Sequence, residues 1–375
     1  MTMKYGVLLL ALTALLGLSG CGGQANITAA DAQEQPTQTQ EQTTAAIAAQ
    51  PEPAAVSAPV SVLVYSDSIQ SAESACPYDG GVLFSNFGGE DGGYVLYRKN
   101  GITETLIPAG AGLNRPTGMA AANGRIYVCD GDSVKVFDAA NVGAGYTEIR
   151  LGEDGHLFND VELVGNDLYI SVTDADAIYR VDVSADGAVP EKWVEVSGPN
   201  GIVVGGDSMY IASISKDFTS VNADNVIYRV SDLGAPQAEP FVEVPGLYDG
   251  VALSDDGSTL YYSDWNTASV EAVEIGAGRR ATLYKEAGIG PADIAQKGGI
   301  LYVPDLTGNR ILELAVASTA SMSAQEMQDR MEIRELTDRF ANLADTKEVD
   351  KQVVLFLPDG TLEFQMGFDG EINEI

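Results

Sequence analysis

Four polar residues stand at matching places in separate parts of the sequence, and their side chains suit cation binding. They are Glu73, Asn159, Asn200 and Asp249. Two carboxylates and two amides form an oxygen-only set of ligands, which fits Ca²⁺ and, with stricter geometry, Mg²⁺. If the fold brings these residues together, the sequence predicts a divalent-cation site.

The four residues match because each occupies the same position in a repeated sequence segment, which we call a line. Each line has a short apolar stretch, a turn rich in Gly, Asn or Asp, and a second apolar stretch that contains an aromatic residue or isoleucine. Taken singly, an Asn or Asp before Gly is a common turn residue. The shared register instead favours four side chains that converge on one point.

Six such lines occur, and they indicate the fold that must position the four residues. The lines open at Glu73, Thr117, Asn159, Asn200, Asp249 and Ala292. They recur about every 40–45 residues, with one longer interval, and each supplies two hairpin strands and a third, which is the period of propeller blades. The sequence therefore predicts an all-β fold, a six-bladed β-propeller over residues 59–316, with the four residues at one mouth of its central channel.

Two irregularities of the repeat carry further expectations. The last repeat lacks a fourth strand, and the segment SVLVY (61–65) is expected to supply it and close the ring. The long interval contains the polar insertion 213–225, which should form a loop on a rim. That loop either covers one mouth of the channel or is a passive surface loop. We expect Asp160, Asp264 and Asp293 to bond backbone groups between blades.

The N-terminus has the composition of an export signal. Lys4 precedes an apolar run that ends in Leu18-Ser19-Gly20-Cys21. The run is short for a membrane span, and its end resembles the bacterial lipobox, which implies cleavage of residues 1–20 and acylation of Cys21. Residues 21–58 are rich in Gln, Thr, Ala and Pro and read as a disordered tether. The chain is thus expected to be exported and lipid-anchored to the membrane of a bacterial cell envelope.

Charge and composition exclude several classes of function. The formal net charge of −33 argues against nucleic-acid binding and suits cations, although acidity can also serve solubility alone. The single histidine, His156, excludes a His-rich metal site and argues against a Ser-His-Asp triad, as does the absence of a GxSxG motif. Export would permit a disulfide between Cys76 and Cys129, but packing as free apolar residues is favoured.

The C-terminal segment has a different period. Ser323 and Glu326 have capping-box spacing ahead of a helical pattern, and residues 361–366 read as a strand. The motif IRELTDRFANLAD followed by LFLPDGTLEF resembles the start of a SnoaL-like, nuclear-transport-factor-two-like domain. Residues 323–375 would be a short α+β segment that lacks most of that fold, either a truncated module or a docking appendage, so we assign it no catalysis.

The propeller residues resemble the senescence-marker-protein, gluconolactonase and luciferin-regenerating family. The matching pairs are Glu73-Ser74, Asn159-Asp160 after Phe158, Asn200-Gly201 and Asp249-Gly250. The resemblance implies that Glu73, Asn200 and Asp249 hold one divalent metal, usually Ca²⁺, and that Asn159 contacts substrate or water. Leu157 departs from the family, which has an Arg there for a polar substrate, and Ala75 replaces a Pro.

The resemblance implies hydrolysis of a lactone, a similar ester or a sugar-derived ligand, with Asp249 as metal ligand and general base and Asn159 as the orienting residue. The alternative is a non-catalytic surface propeller that binds a ligand or a protein. Leu157 and the appended domain motivate that alternative.

Overall fold

The computed structural model describes residues 62–152, 155–185 and 187–316, and the backbone of two short strands at 363–365 and 372–374. The predicted signal peptide, Cys21, the tether and the predicted C-terminal helices lie outside these residues. Within the described part, no helix is long and apolar enough to cross a bilayer.

Twenty-four strands, β1 to β24, form six four-stranded antiparallel sheets, and the predicted six-bladed propeller is confirmed. Blade 1 is β2–β5, blade 2 is β6–β9, and the others follow in chain order. The strands of the first three blades and the closing strand are β1 (Val62–Tyr65), β2 (Ala72–Tyr78), β3 (Gly81–Gly89), β4 (Gly92–Lys99), β5 (Ile102–Ile107), β6 (Pro116–Ala122), β7 (Arg125–Asp130), β8 (Ser133–Asp138), β9 (Tyr146–Arg150), β10 (Phe158–Val164), β11 (Asp167–Val172), β12 (Ala177–Asp182) and β13 (Glu191–Glu195).

The remaining three blades continue the same order. Their strands are β14 (Pro199–Gly205), β15 (Ser208–Ser213), β16 (Ile227–Val230), β17 (Ala238–Val242), β18 (Tyr248–Leu253), β19 (Thr259–Asp264), β20 (Ser269–Glu274), β21 (Arg280–Lys285), β22 (Ala295–Lys297), β23 (Ile300–Asp305) and β24 (Arg310–Ala315). The described residues contain only two short 3-10 helices, Val142–Ala144 and Thr173–Ala175.

The ring closes with a strand from the N-terminal side, as the sequence predicts. Strand β1 is the outermost strand of blade 6 and pairs antiparallel with β24, with Val62 opposite Leu314 and Tyr65 opposite Ile311. The two ends of the propeller are therefore held by one sheet. This closure fixes the distance between blade 1 and blade 6 and so the width of the channel.

The core is divided among the six interfaces between neighbouring blades. Alternation of side chains along each strand places apolar residues on both faces of a blade, and each interface contains one cluster of buried apolar residues. The cluster between blades 1 and 2, for example, contains Leu83, Ile107, Ile126 and Phe137. Cys76 and Cys129 are buried as free thiols in two of these clusters.

The C-terminal segment contributes a small hairpin to the described residues. Strands β25 (Glu363–Gln365) and β26 (Ile372–Glu374) pair antiparallel, with Phe364 opposite Asn373. The first of them lies inside the strand predicted at 361–366.

Candidate functional site

The structure brings the four predicted residues into one cavity at the channel mouth. Glu73, Asn159, Asn200 and Asp249 all line a cavity of about 410 Å³, together with side chains from every blade. All four are buried, with exposed fractions between 2% and 7%. The convergence predicted from their register is therefore present. Of the other two line-opening residues, Thr117 also lines this cavity.

A β-bulge in the innermost strand positions each of these side chains. In blade 1 the pairing moves from Ala72 opposite Asn86 to Ala75 opposite Phe84, so that one extra residue is inserted. The same shift occurs in the first strands of blades 2 to 5. A bulge bends the strand and re-aims its side chains. Because the site residues lie inside these bulges, they turn toward the channel mouth rather than into the sheet.

Three of the bulges leave a backbone N–H without a partner in the strand ladder, and a serine hydroxyl accepts a hydrogen bond from each of them. Ser74 N donates to Ser85 Oγ at 2.9 Å, Asp160 N to Ser171 Oγ at 2.8 Å, and Gly250 N to Ser263 Oγ at 2.8 Å. A buried N–H without a partner would cost about 1–3 kcal/mol. These serines therefore stabilise the distorted strand segments that carry Glu73, Asn159 and Asp249.

Glycines follow Asn200 and Asp249 because the next blade approaches closely there. A Cβ on Gly250 would lie 2.4 Å from Ile294 N, and one on Gly201 would lie 2.6 Å from Asp249 O. Neither glycine has a positive φ. Asn200-Gly201 and Asp249-Gly250 are thus parts of bulged strands rather than turns.

The four site residues share a feature that points to a bound cation. Six buried side-chain nitrogen or oxygen atoms of the described residues lack a hydrogen-bond partner, and four of them are Glu73 Oε2, Asn159 Oδ1, Asn200 Oδ1 and Asp249 Oδ1. Buried polar atoms are nearly always paired. Two carboxylate and two amide oxygens without partners in one cavity match the ligands that Ca²⁺ takes.

This set differs from the commoner clusters of metal-binding side chains. Within the described residues, no group of three or more His, Cys, Asp or Glu side chains is placed to hold a metal. The candidate site has two acidic residues and depends on amide oxygens for the rest of its donors. Such a set favours a hard cation over a thiolate- or imidazole-binding metal.

Burial disfavours the ionised forms of the two carboxyl groups in the absence of a cation. Desolvation raises the pKa of Glu73 well above its usual range, and the nearby Asp249 raises it further. Desolvation also raises the pKa of Asp249 to about 7, although hydrogen bonds from Trp265 and Asn200 act in the opposite direction. A positive charge in the cavity would favour both ionised forms.

Trp265 fixes the orientation of Asp249. Its indole Nε1–H donates to Asp249 Oδ2 at 2.7 Å. Because Oδ2 is held in this way, Oδ1 is the oxygen left without a partner. The carboxylate of Asp249 thus presents one defined oxygen.

The sequence prediction missed the apolar walls above the four oxygens. Phe87, Leu157, Ile214, Phe218, Trp265 and Leu306 line the cavity with Arg115. A signal was present, because the residue that directly follows the repeated line is apolar in four repeats: Phe87, Ile214, Trp265 and Leu306. In all four, this residue donates its N–H to a carbonyl in the segment preceding the first strand, which places it on the rim.

The polar insertion lies on the rim and reaches the mouth. Ile214 and Phe218 both belong to the segment between β15 and β16, and both line the cavity. Of the two alternatives for this loop, the one in which it covers a mouth agrees with the structure.

A second cavity of about 280 Å³ lies further along the same first strands, and its carboxylates have partners. Asp160 accepts hydrogen bonds from Val161 N and from Ile202 N of the next blade, both at 2.7 Å. Asp293 accepts from Ser74 Oγ at 2.6 Å. Both line the second cavity, with Glu162.

These contacts correct part of the expected role of the three aspartates. Asp160 bonds backbone between blades, as predicted. Asp293 also links two blades, but through the Ser74 side chain. Asp264 instead bonds within its own blade, accepting from Leu247 N and Asn266 N and from Thr267 Oγ1, because the loop after β19 folds back onto it.

His156 lies outside the candidate site. Its Nδ1 is 3.1 Å from Asp174 Oδ2, and it does not line the cavity.

Comparison with known proteins agrees with the two-part architecture. Residues 325–374 match the model of the SnoaL-like domain family. Comparison with curated proteins gave no match. The fold is similar to that of a gluconolactonase from Xanthomonas campestris, with a TM-score of 0.55, 16% identity, and coverage of 71% of this chain and 95% of that one. This likeness establishes the fold and not the activity.

Two more distant propellers are similar in outline only. Virginiamycin B lyase from Staphylococcus aureus gives a TM-score of 0.48 at 15% identity, covering 68% of this chain and 99% of that one. Regucalcin from Agrobacterium tumefaciens, described as a calcium-binding protein, gives a TM-score of 0.42 at 12% identity. This match covers 50% of this chain and 66% of that one. The structural neighbours of this chain thus include gluconolactonase-like and regucalcin-like propellers.

Proposed function

We propose that the propeller binds a divalent cation, preferentially Ca²⁺, at the channel mouth and hydrolyses a lactone or similar ester there. The observation that carries the proposal is the set of four buried, unpartnered oxygens in one cavity. Leaving them without partners would be costly in a folded protein, and a cation accounts for all four together.

Glu73, Asn200 and Asp249 would hold the cation, with Asn159 beside them. When bound, a divalent cation in such a site supplies polarisation of a carbonyl group and stabilises negative charge on its oxygen. Two carboxylates give the site the negative charge that such an ion needs. Their raised pKa values imply that binding the ion displaces protons.

The reaction assigns separate tasks to the chain's own side chains. Asp249 would take a proton from the attacking water as general base and return it to the alkoxide that leaves the ester, while Trp265 holds Oδ2 of the same carboxyl. Asn159 orients the water or the substrate through its amide, and the apolar walls exclude bulk water.

A calcium titration of the melting temperature tests the metal, and a hydrolysis screen tests the chemistry. We expect Ca²⁺ to raise the melting temperature of the wild type and to support turnover of lactones and aryl esters. Asp249→Ala should lose both effects. Asp293→Asn is the matched control, because it removes a buried channel carboxylate that has a partner and lies outside the site.

Each result decides a different part of the proposal. A wild type whose melting temperature does not respond to Ca²⁺, Mn²⁺ or Zn²⁺ overturns the metal site. A metal response without hydrolysis above that of Asp249→Ala overturns the enzyme and leaves the alternative, a ligand-binding propeller.

We also propose export and lipid anchoring through Cys21, on the strength of the Leu18-Ser19-Gly20-Cys21 motif. Incorporation of labelled palmitate in a bacterial host, compared with Cys21→Ser, tests this. Unlabelled wild-type protein would contradict it.

A further inference from the structure

The walls of the candidate site are apolar in five of the six blades. We call this ring the apolar collar; it consists of Phe87, Leu157, Ile214, Phe218, Trp265 and Leu306. Blade 2 contributes Arg115 instead, whose guanidinium lies 4.3 Å from the centre of the Phe87 ring. All of the collar residues except Ile214 are more exposed than the four site residues, so a ligand that enters the cavity from solvent contacts them.

Phe218 is the most unusual member of the collar. It has a φ of +57° and is 43% exposed. A bulky residue in the left-handed region is strained, and such strain persists where the surrounding structure enforces it. An exposed aromatic ring held this way contributes little to the fold.

The loop around Phe218 is built to hold that conformation. Asp217 accepts hydrogen bonds from Thr219 N at 3.0 Å, from Ser220 N at 2.8 Å and from Ser220 Oγ at 2.6 Å. Lys216 Nζ ties the loop to blade 3 through Asp174 O at 2.9 Å and Asp176 Oδ2 at 2.5 Å. These bonds hold the loop backbone on both sides of Phe218, which lines the cavity.

Besides the four site residues, three side chains with polar atoms line the cavity: Arg115, Thr117 and Trp265. The Arg115 guanidinium lies over the Phe87 ring, and the Trp265 indole N–H already donates to Asp249. Thr117 Oγ1 is already directed to the carbonyls of Cys129 and Phe158. A sugar-like ring would bring several hydroxyls against the collar, and a buried hydroxyl without a partner is costly. An alkyl chain would lose nothing on the same surface and would bury apolar area.

Resting on the proposed function, we infer that the substrate is a lactone or ester that carries a linear alkyl chain. The carbonyl group lies at the four oxygens and the chain packs against the apolar collar. Phe218 then acts as a specificity-determining residue that covers the chain.

A chain-length series tests the inference. The probes are γ-lactones with ring substituents from none to hexyl, and glucono-δ-lactone as the hydroxylated comparison. We expect kcat/KM to rise about fourfold for each added methylene until the collar is filled, and glucono-δ-lactone to be the poorest substrate.

A binding series separates this inference from the proposed hydrolysis. Cyclopentanones with the same alkyl substituents cannot be hydrolysed, and the fluorescence of a Trp193→Phe variant, in which Trp265 is the remaining tryptophan, reports their binding. Tighter binding with chain length but no lactone turnover would support the alkyl-binding collar and contradict the enzyme. Turnover that is independent of chain length, or that favours glucono-δ-lactone, would overturn the collar inference and leave the enzyme standing.

Matched variants of one loop locate the effect. Phe218→Ala should lower kcat/KM for the hexyl lactone and affinity for the hexyl ketone by about tenfold, and this loss should become smaller as the alkyl substituent is shortened. Val221→Ala is the control, because Val221 is 42% exposed in the same loop but does not line the cavity. Phe218→Gly should lose the same selectivity while its melting temperature stays equal or rises, since glycine relieves the strained φ. Equal effects of Phe218→Ala and Val221→Ala would contradict the assignment.

Discussion

The two cavities of the channel are lined by the same first strands, yet their polar groups are in opposite situations. At the mouth, the oxygens of Glu73, Asn159, Asn200 and Asp249 are buried without partners. In the second cavity, Asp160 and Asp293 are equally buried, but their oxygens accept hydrogen bonds from Ile202 N and Ser74 Oγ. Buried acidity alone therefore does not mark a binding site here.

The difference arises within a single bulge. Asn159 and Asp160 are neighbours in β10, and the bulge directs one to the mouth and the other to the interface with blade 4. The first keeps a free oxygen, while the second serves to join blades. A functional group and a structural group are thus produced by adjacent residues of one strand.

The largest effect is expected from neutralising one carboxylate at the mouth. Glu73→Gln should weaken Ca²⁺ binding by at least about 100-fold, measured by calorimetry, because it removes half of the negative charge of the site. The same substitution should raise the melting temperature of the calcium-free protein, since it relieves the repulsion between Glu73 and Asp249.

The second cavity provides the matched control for that prediction. Asp293→Asn keeps an acceptor for Ser74 Oγ and should weaken calcium binding much less than Glu73→Gln, because Asp293 lies outside the ligand set and acts on Glu73 and Asp249 only through its charge. If both variants lost calcium binding equally, the distinction between the two cavities would be wrong.

A smaller effect is expected from the close contact that supports the mouth. Gly250→Ala would bring a Cβ to 2.4 Å from Ile294 N, and backbone atoms of the next blade cannot easily move away. Overpacking of this kind costs about 1–3 kcal/mol of unfolding free energy. Denaturant unfolding would measure it, with Gly276→Ala as control, because a Cβ there meets nothing within 4 Å. An undiminished stability in Gly250→Ala would show that the blades can separate at the channel.

A further expected effect is a pH dependence of stability to which both cavities contribute. Desolvation raises the pKa of Asp249 and of Asp160 to about 7 and that of Glu162 to about 8. In the unfolded chain these groups titrate near pH 4, so each binds its proton more tightly when folded. Their contribution to stability is complete below about pH 4 and is lost as the pH rises through about 7–8.

Melting curves between pH 4 and 9 in the presence of a chelator should therefore show falling stability. Saturating Ca²⁺ should remove the part due to Asp249, and Glu162→Gln should flatten the part near pH 8. A Glu162→Gln variant with the wild-type slope would show that the second cavity does not contribute.

Sequence repetition was sufficient to predict the blades and the convergence of the four site residues. The register works because every first strand borders the same channel, so equivalent residues must lie at equivalent heights. The closing strand was predictable for a similar reason, since the last repeat lacked one strand. Trp265 and the collar were missed because the prediction considered the first strands and not the residues that follow the repeated lines.

The roles of individual acidic residues could not be read from the repeat. The sequence prediction gave Asp264 and Asp160 the same role, yet Asp264 bonds within its own blade and Asp160 bonds across to Ile202, 42 residues away. Such partners depend on how neighbouring blades pack. The lipid anchor on Cys21 and the catalytic roles of Asp249 and Asn159 stay predictions.

The sequence by itself determined the number of blades, their register and the residue types that meet at the mouth, because these follow from a repeated pattern of apolar and turn residues. Only the tertiary structure decided which of the polar groups remain unpartnered. That outcome depends on bulges that turn adjacent side chains apart and on ring closure, which brings Ser74 of blade 1 to Asp293 of blade 6 across 219 positions of the chain. Contacts of that range are set by packing and not by any local pattern.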